Sequence, residues 1–358
     1  MQKCETNLLW VDIAKVMGIF LVIFAHCITG GMCIFQNFFE TRNLYLFIYL
    51  FHMPLFFVIS GYLYKKYTFK SNLKKITLGL LVPYFIYQIT YFPFIVGQRI
   101  FYNHLDCFSI IYKTLLGIFL GDVQTGTHFL SCCIPCWFIV VIIQMRFLFA
   151  LFKESKKLYI ILSIISLSLL EFLRYFKMDL YFCLDCTLMA IPYFVFGYLL
   201  KNCDFGIEKN NVNIFKSIVF AALLILLLVY IYKINGTILI SEVILNIGLT
   251  QSILLSYFSG ILGFFLIYNL SRMININNHF IQTISKNTLF VIFFHYLVFF
   301  IGRWIGIHKY STIIYDTIGI FGLLIVTLLY SMFNLLINYY VILFLSKFFP
   351  IVLGKYKK

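Results

Sequence analysis

The chain has 358 residues, of which 62% are hydrophobic, 20% aromatic and 11% charged. Soluble domains carry about 25% charged residues, so this composition excludes a soluble enzyme, a disordered chain, a collagen and a coiled coil, and leaves a polytopic membrane protein. The formal net charge of +15 sits in short clusters between apolar runs, as in loops that stay in the cytoplasm, so nucleic-acid binding is not expected.

A spanning helix needs about 20 mostly apolar residues. Ten such runs follow in chain order: 9–30, 45–64, 74–96, 131–152, 157–174, 186–201, 214–233, 244–269, 286–305 and 316–348. Phe108–Leu120 is too short to cross and suits an interfacial or re-entrant helix. With the N-terminus in the cytoplasm, 18 Lys and Arg residues fall on the cytoplasmic side and 8 on the other, with Lys15 and Arg146 inside spans. That asymmetry favours about ten helices with both termini cytoplasmic. The first apolar run lacks a small-residue cleavage site and is expected to remain as a span. No tandem repeat, low-complexity tract or separate soluble segment stands out, so an all-α membrane domain over 1–358 is expected.

Ionisable groups at membrane depth are costly and mark cavities or partners. The first span carries Asp12, Lys15 and His26. Eleven residues at 100° each return His26 to within roughly 20° of Lys15, about 16 Å further along the axis. Asp12 precedes Lys15 by three residues on the same face, which predicts an ion pair near the cytoplasmic surface. The second span contains Phe51-His52-Met53-Pro54, where the proline is expected to kink the helix and release a carbonyl, and Ser60-Gly61, which permits close helix approach. His52 lies at a depth similar to His26. Arg146 sits in the cytoplasmic third of the fourth span, and His295 near the middle of the ninth. Taken singly, a snorkelling lysine, a local ion pair or a hydrogen-bonded core histidine would account for each. Three such groups on one stripe of the first span favour a functional reading.

Of ten cysteines, eight lie towards the predicted outer side: Cys27, Cys33, Cys107, Cys132, Cys133, Cys136, Cys183 and Cys186. Cys133-Ile-Pro-Cys136 and Cys183-Leu-Asp-Cys186 have redox or zinc spacing, but they stand at helix ends, where buried thiols or outer-face disulfides are the default. No metal is expected. Gly-rich phosphate loops and a G-x-S-x-G elbow are absent, which excludes an ATP-driven pump and an ordinary serine hydrolase.

Asp12-Ile-Ala-Lys15, ten residues, then His26 resembles the first-helix signature of acyltransferase family 3, the membrane O-acyltransferases of bacterial surface polysaccharides. Together with Phe51-His52-Met53-Pro54-Leu55-Phe56-Phe57-Val58-Ile59-Ser60-Gly61-Tyr62, it looks most like the fucose 4-O-acetylase-like branch. Leu81-Val82-Pro83-Tyr84, Cys136-Trp137-Phe138, Ile191-Pro192-Tyr193-Phe194 and Ser285 to His295 extend the similarity in the expected order.

The resemblance implies transfer of an acyl group, here acetyl from cytoplasmic acetyl-CoA, to a sugar hydroxyl of a surface polysaccharide or a lipid-linked glycan precursor. It also implies a multi-pass protein of the bacterial inner membrane. Lys15 and Arg146 would hold the phosphates of the donor, whose pantetheine arm would run along the first helix. His26 would take the acceptor's proton or briefly carry the acyl group. Asp12 would orient Lys15, and His52 and His295 would polarise the thioester carbonyl or position the sugar. Two other classes remain open at this point. A transporter or flippase of lipid-linked sugars shares the spans and midplane charges. A membrane thiol oxidoreductase would use the two C-x-x-C pairs but leaves Lys15 and His26 without a role.

Overall fold

In hydrocarbon every backbone amide must be satisfied within its own segment, which favours helices. In the computed structural model, which describes residues 9–28, 39–103, 107–121, 133–152, 154–176, 180–202, 214–235, 252–306 and 310–355, all regular structure is helical. The helices are α1 (Leu9–Ile28), α2 (Phe39–Tyr49), α3 (His52–Tyr62), α4 (Phe69–Ile76), α5 (Val82–Asn103), α6 (Cys107–Leu120), α7 (Trp137–Leu151), α8 (Lys156–Tyr175), α9 (Leu184–Asn202), α10 (Ile214–Asn235), α11 (Ile253–Met273), α12 (His279–Lys286), α13 (Thr288–Trp304) and α14 (Tyr310–Phe348).

Eight segments of the described residues are long and apolar enough to cross a bilayer: Leu9–Ile28, Asn43–Tyr62, Phe69–Gly97, Lys156–Tyr175, Leu184–Asn202, Ile214–Ile231, Ile253–Met273 and Asp316–Phe348. The pair α12 and α13, bent by 90°, makes a ninth if it is one span. Of the fourth expected run, 131–152, the helical part is Trp137–Leu151, 15 residues preceded by the 3-10 turn Ile134–Cys136. At 1.5 Å per residue it reaches about 22 Å, short of the hydrocarbon thickness. Residues 29–30, 131–132 and 244–251 of the expected runs, and Cys33 and Cys132, lie outside the described residues.

The chain divides into two compact units, Met1–Tyr62 with Phe196–Leu343, and Leu63–Val195 with Phe344–Lys358. In the first unit α1 is the hub, packing against α2, α3, α11, α12 and α13. Small residues let the helices meet closely. A Cβ on Gly18 would lie 2.9 Å from Leu55 Cδ2 of α3, and one on Gly263 of α11 would lie 2.0 Å from Phe51 Cβ. Trp10 stands edge-on to Tyr62 and Tyr268, with centroids 5.1 and 4.9 Å away, and so fixes the start of α1 between α3 and α11.

The second apolar span is broken between α2 and α3, at Leu50 and Phe51. Pro54 has no N–H to offer the carbonyl four residues back, which is that of Leu50. Ser259 Oγ of α11 donates to that oxygen at 3.3 Å. Phe51 N–H turns instead to the Ile48 carbonyl at 3.2 Å, and Leu55 N–H resumes the helix on the Phe51 carbonyl at 2.9 Å. The expected kink therefore falls one turn before the proline. The bend between α12 and α13 is set at Asn287, whose Nδ2 donates to the Thr283 carbonyl at 2.6 Å while its own carbonyl accepts from Val291 N–H at 3.1 Å.

The second unit contains α4 to α8 and the start of α9. Thr68 and Ser155 cap α4 and α8 by accepting from the backbone N–H of Ser71 and Leu158, both at 3.4 Å. Between α4 and α5, Thr77–Leu81 widens into a π turn just before Pro83, which cannot supply the usual helical donor. Tyr84 Oη donates to the Ile118 carbonyl of α6 at 2.7 Å, and Tyr87 Oη to the Val352 carbonyl at 2.8 Å.

Candidate functional site

Three histidines far apart in sequence meet within the first unit. His26 stands in the last turn of α1, His52 opens α3, and His295 lies in the middle of α13. The His26 and His295 rings are 5.4 Å apart between centroids. Tyr49, the last residue of α2, bridges the other pair: its ring lies 6.1 Å from that of His26 and 4.3 Å from that of His52. Tyr296 adjoins His26 edge-on at 4.9 Å.

Hydrogen bonding defines how these rings are held. A carbonyl oxygen only accepts, so an imidazole nitrogen facing one carries the proton. His52 Nδ1 donates to the Ile48 carbonyl at 3.2 Å, and His295 Nδ1 to the Val291 carbonyl at 2.8 Å. Both bonds run four residues back on the same stretch of chain. In their neutral forms both side chains then present Nε2 as a lone pair. His295 is fully buried and its Nε2 has no hydrogen-bond partner among the described residues, whereas His52 is 4% exposed. His26 is different. Its Nδ1 faces the hydroxyls of Tyr49 at 3.4 Å and Tyr296 at 3.2 Å, and all three side chains are part-exposed.

A buried polar row on α14 frames the cluster. Thr327, Ser331, Asn334 and Asn338 are spaced by four, three and four residues on one face and are at most 1% exposed. Asn334 Nδ2 donates to the His295 backbone carbonyl at 3.2 Å, and Asn338 Nδ2 to Asn334 Oδ1 at 2.9 Å. Ser331 Oγ lies 3.2 Å from Cys27 Sγ, beside His26. This row fixes α13 and α1 on either side of the imidazoles.

Asp12 and Lys15 share a face of α1, as their spacing requires, but their charged atoms do not come within the 4.0 Å of an ion pair. The Asp12 carboxylate instead accepts from Ser285 Oγ of α12 at 2.5 Å. A buried hydroxyl is a closer partner than a part-exposed ammonium, so Asp12 ties α1 to the bend at Asn287. Lys15 is part-exposed. Between Lys15 and His26, the positions on the same face are Ile19 and Val22, 0% and 3% exposed. The path expected along this face for a pantetheine arm is filled by packed side chains here. Arg146 belongs to the second unit, where it is exposed on α7 and its carbonyl accepts from Asn72 Nδ2 at 3.1 Å.

The described cysteines Cys27, Cys107, Cys133, Cys136, Cys183 and Cys186 are thiols, not disulfides. All but Cys107 are buried. Cys133 N–H donates to Gln88 Oε1 at 3.0 Å and Cys183 Sγ to the Gly121 carbonyl at 3.1 Å, bonds that pin helix ends together. Among the described residues no group of three or more His, Cys, Asp or Glu is arranged to hold a metal ion.

Tyr49, Tyr296, Ser285 and the α14 row were not singled out from the sequence. The row's four-three-four spacing within an apolar run was a legible signal. The tyrosines offered none, since each is one of 26 in the chain.

Comparison with known protein families matches residues 8–351 to the acyltransferase family 3 model, described as an acyltransferase domain. No curated protein and no solved structure matches the chain.

Proposed function

From the premise that the chain belongs to acyltransferase family 3 and is a multi-pass membrane acyltransferase, we propose that it is an O-acetyltransferase of the fucose 4-O-acetylase-like branch. It moves acetyl from cytoplasmic acetyl-CoA to a sugar hydroxyl of a surface polysaccharide or of its lipid-linked precursor. The excess of Lys and Arg on one side of the expected spans supports a bacterial inner-membrane protein with both termini in the cytoplasm.

The observation that carries this reading is the meeting of His26, His52 and His295 around α1, the helix that also bears Lys15. His26 is the part-exposed imidazole and is the general base, or the transient carrier of the acyl group. His52 and His295 offer lone pairs, not protons, at Nε2. They therefore suit positioning of the sugar's hydroxyls better than polarising a thioester carbonyl, which needs a donor. Lys15 supplies a cation for the donor's phosphates, and Asp12 holds α1 in register through Ser285. Arg146, exposed on α7, is a second cation proposed for the donor's phosphates. The donor arm reaches His26 when the packing at Ile19 and Val22 opens.

The test is mass spectrometry of surface glycans from cells with and without the gene, paired with acetyl transfer by the purified full chain. Loss of one acetyl group per repeat without the gene, restored by wild type but not by His26→Ala protein present at normal levels in the membrane, is the expected result. Wild-type turnover by His26→Ala removes the mechanism. Transport without acetylation removes the enzyme reading.

A further inference from the structure

Base catalysis by an imidazole needs the two ring nitrogens to do different things: one takes the proton, and the other is held so that the ring keeps its tautomer and aim. At His52 and His295 the held nitrogen is Nδ1, on a carbonyl four residues back. At His26, two hydroxyls from two other helices face Nδ1, Tyr49 from α2 at 3.4 Å and Tyr296 from α13 at 3.2 Å. A phenol oxygen can accept as well as donate, so a ring proton on Nδ1 fits both contacts. Both tyrosine rings stand nearly edge-on to the imidazole, at interplanar angles of 87° and 69°.

We propose that Tyr49 and Tyr296 are positioning residues for His26: their hydroxyls accept the Nδ1 proton and so keep Nε2 as the nitrogen that works on the substrate. The catalytic step built on this rests on the function proposed above. The acceptor's O–H bond breaks and its proton goes to Nε2. The oxygen attacks the thioester carbon, the C–S bond breaks, and the departing thiolate takes the proton back from Nε2. No oxidant, metal or outside proton enters. Because phenols are neutral, they orient the ring without adding a fixed negative charge beside it. This differs from a carboxylate-backed histidine, and Asp12 is committed elsewhere, to Ser285.

The inference is tested on the full-length protein in lipid, labelled with nitrogen-15 histidine, by solid-state NMR, with the His26 signals assigned by their loss in His26→Asn. In wild type, His26 is expected as one neutral tautomer with the proton on Nδ1. Tyr49→Phe with Tyr296→Phe keeps the rings but removes both hydroxyls, and is expected to give a mixture of tautomers, while His52 and His295 stay as they are. Each single variant is expected to retain the wild-type form in larger part, which covers the case of a double variant that does not accumulate. With acetyl-CoA and methyl fucoside as the probe pair, Tyr296→Phe should lower kcat by roughly 3- to 10-fold, the effect of one neutral hydrogen bond, with the KM for acetyl-CoA unchanged. A wild-type His26 protonated at Nε2 overturns the inference. So does an unchanged single tautomer in the double variant. Because the tautomer is read without turnover, a failure of acetyl transfer would count against the proposed function and leave this result to be judged separately.

Discussion

Gly263→Ala is the sharpest probe of how the helices hold this site. A Cβ there would lie 2.0 Å from Phe51 Cβ and 2.1 Å from Phe51 Cγ. Carbon atoms pack at about 3.5–4.0 Å, so one side must yield by about 1.5 Å. Phe51 has little freedom: it is 1% exposed, its N–H is bonded to Ile48, and its carbonyl accepts from Leu55. It also sits in the break between Tyr49 and His52, so whatever moves it moves both. Overpacking costs about 1–3 kcal/mol, with this overlap near the upper end. The gain from replacing glycine by alanine in a helix offsets about 1 kcal/mol of that. The expected net loss is about 2 kcal/mol of stability, read as the midpoint of unfolding in detergent. A misplacement of about 1 Å at reacting groups can cost about 100-fold, so acetyl transfer should fall far more than stability alone would dictate. Gly18→Ala is the control. Its Cβ would meet the Leu55 tip at 2.9 Å and the Phe56 ring at 3.0 Å, a smaller overlap than at Gly263, and both measurements should change less. Full activity and an unchanged midpoint for Gly263→Ala would refute the idea that α11 sets the position of the break.

Asn334→Leu removes the bond to the His295 carbonyl and one of the two acceptors of the Asn338 amide, whose bond to the backbone carbonyl of residue 334 remains, and should cost about 0.5–1.5 kcal/mol in the same unfolding measurement. Asp12→Asn, Ser285→Ala and their combination form a cycle on a charge-assisted bond; a coupling of about 1.5–3 kcal/mol is expected, and simple additivity would show that the pair does not anchor α1. Cys136→Ala with Cys186→Ala dismantles both C-x-x-C pairs; acetyl transfer should persist, and its abolition in a folded protein would revive a thiol mechanism.

What was legible in the sequence was what is rare in lipid. Lys15, His26, His52 and His295 stood out because each is costly at membrane depth. Helical spacing placed Asp12, Lys15 and His26 on α1 correctly, since that follows from the helix alone. It could not say what Asp12 would bond, because Ser285 is 273 residues away in sequence. The break before α3 was foreshadowed by Pro54, but its position depended on where the chain could find other partners: Ser259 for the Leu50 carbonyl and Ile48 for the Phe51 amide. The packed face between Lys15 and His26 was not expected: the sequence reading ran the donor's arm along it, and it was Ile19 and Val22, the apolar residues that helical spacing puts there, that closed it.

The three imidazoles meet the cost of leaving water in two ways, with different consequences. His52 and His295 each hand Nδ1 to a carbonyl four residues back on their own stretch of chain. At His295 both ends of that bond lie on α13, so it survives any rigid movement of that helix; at His52 the acceptor is Ile48 of α2, so the bond spans the break before α3. His26 has its Nδ1 contacts on α2 and α13. Its orientation therefore depends on α1 staying in place against both. Changes that shift α1 should disturb His26 first and leave the other two imidazoles chemically intact. The close packing at Gly18, the Trp10 contacts and the Asp12–Ser285 bond all act on that one helix. Several of the contacts that hold the first unit thus converge on α1, the helix whose imidazole is faced by hydroxyls from two others.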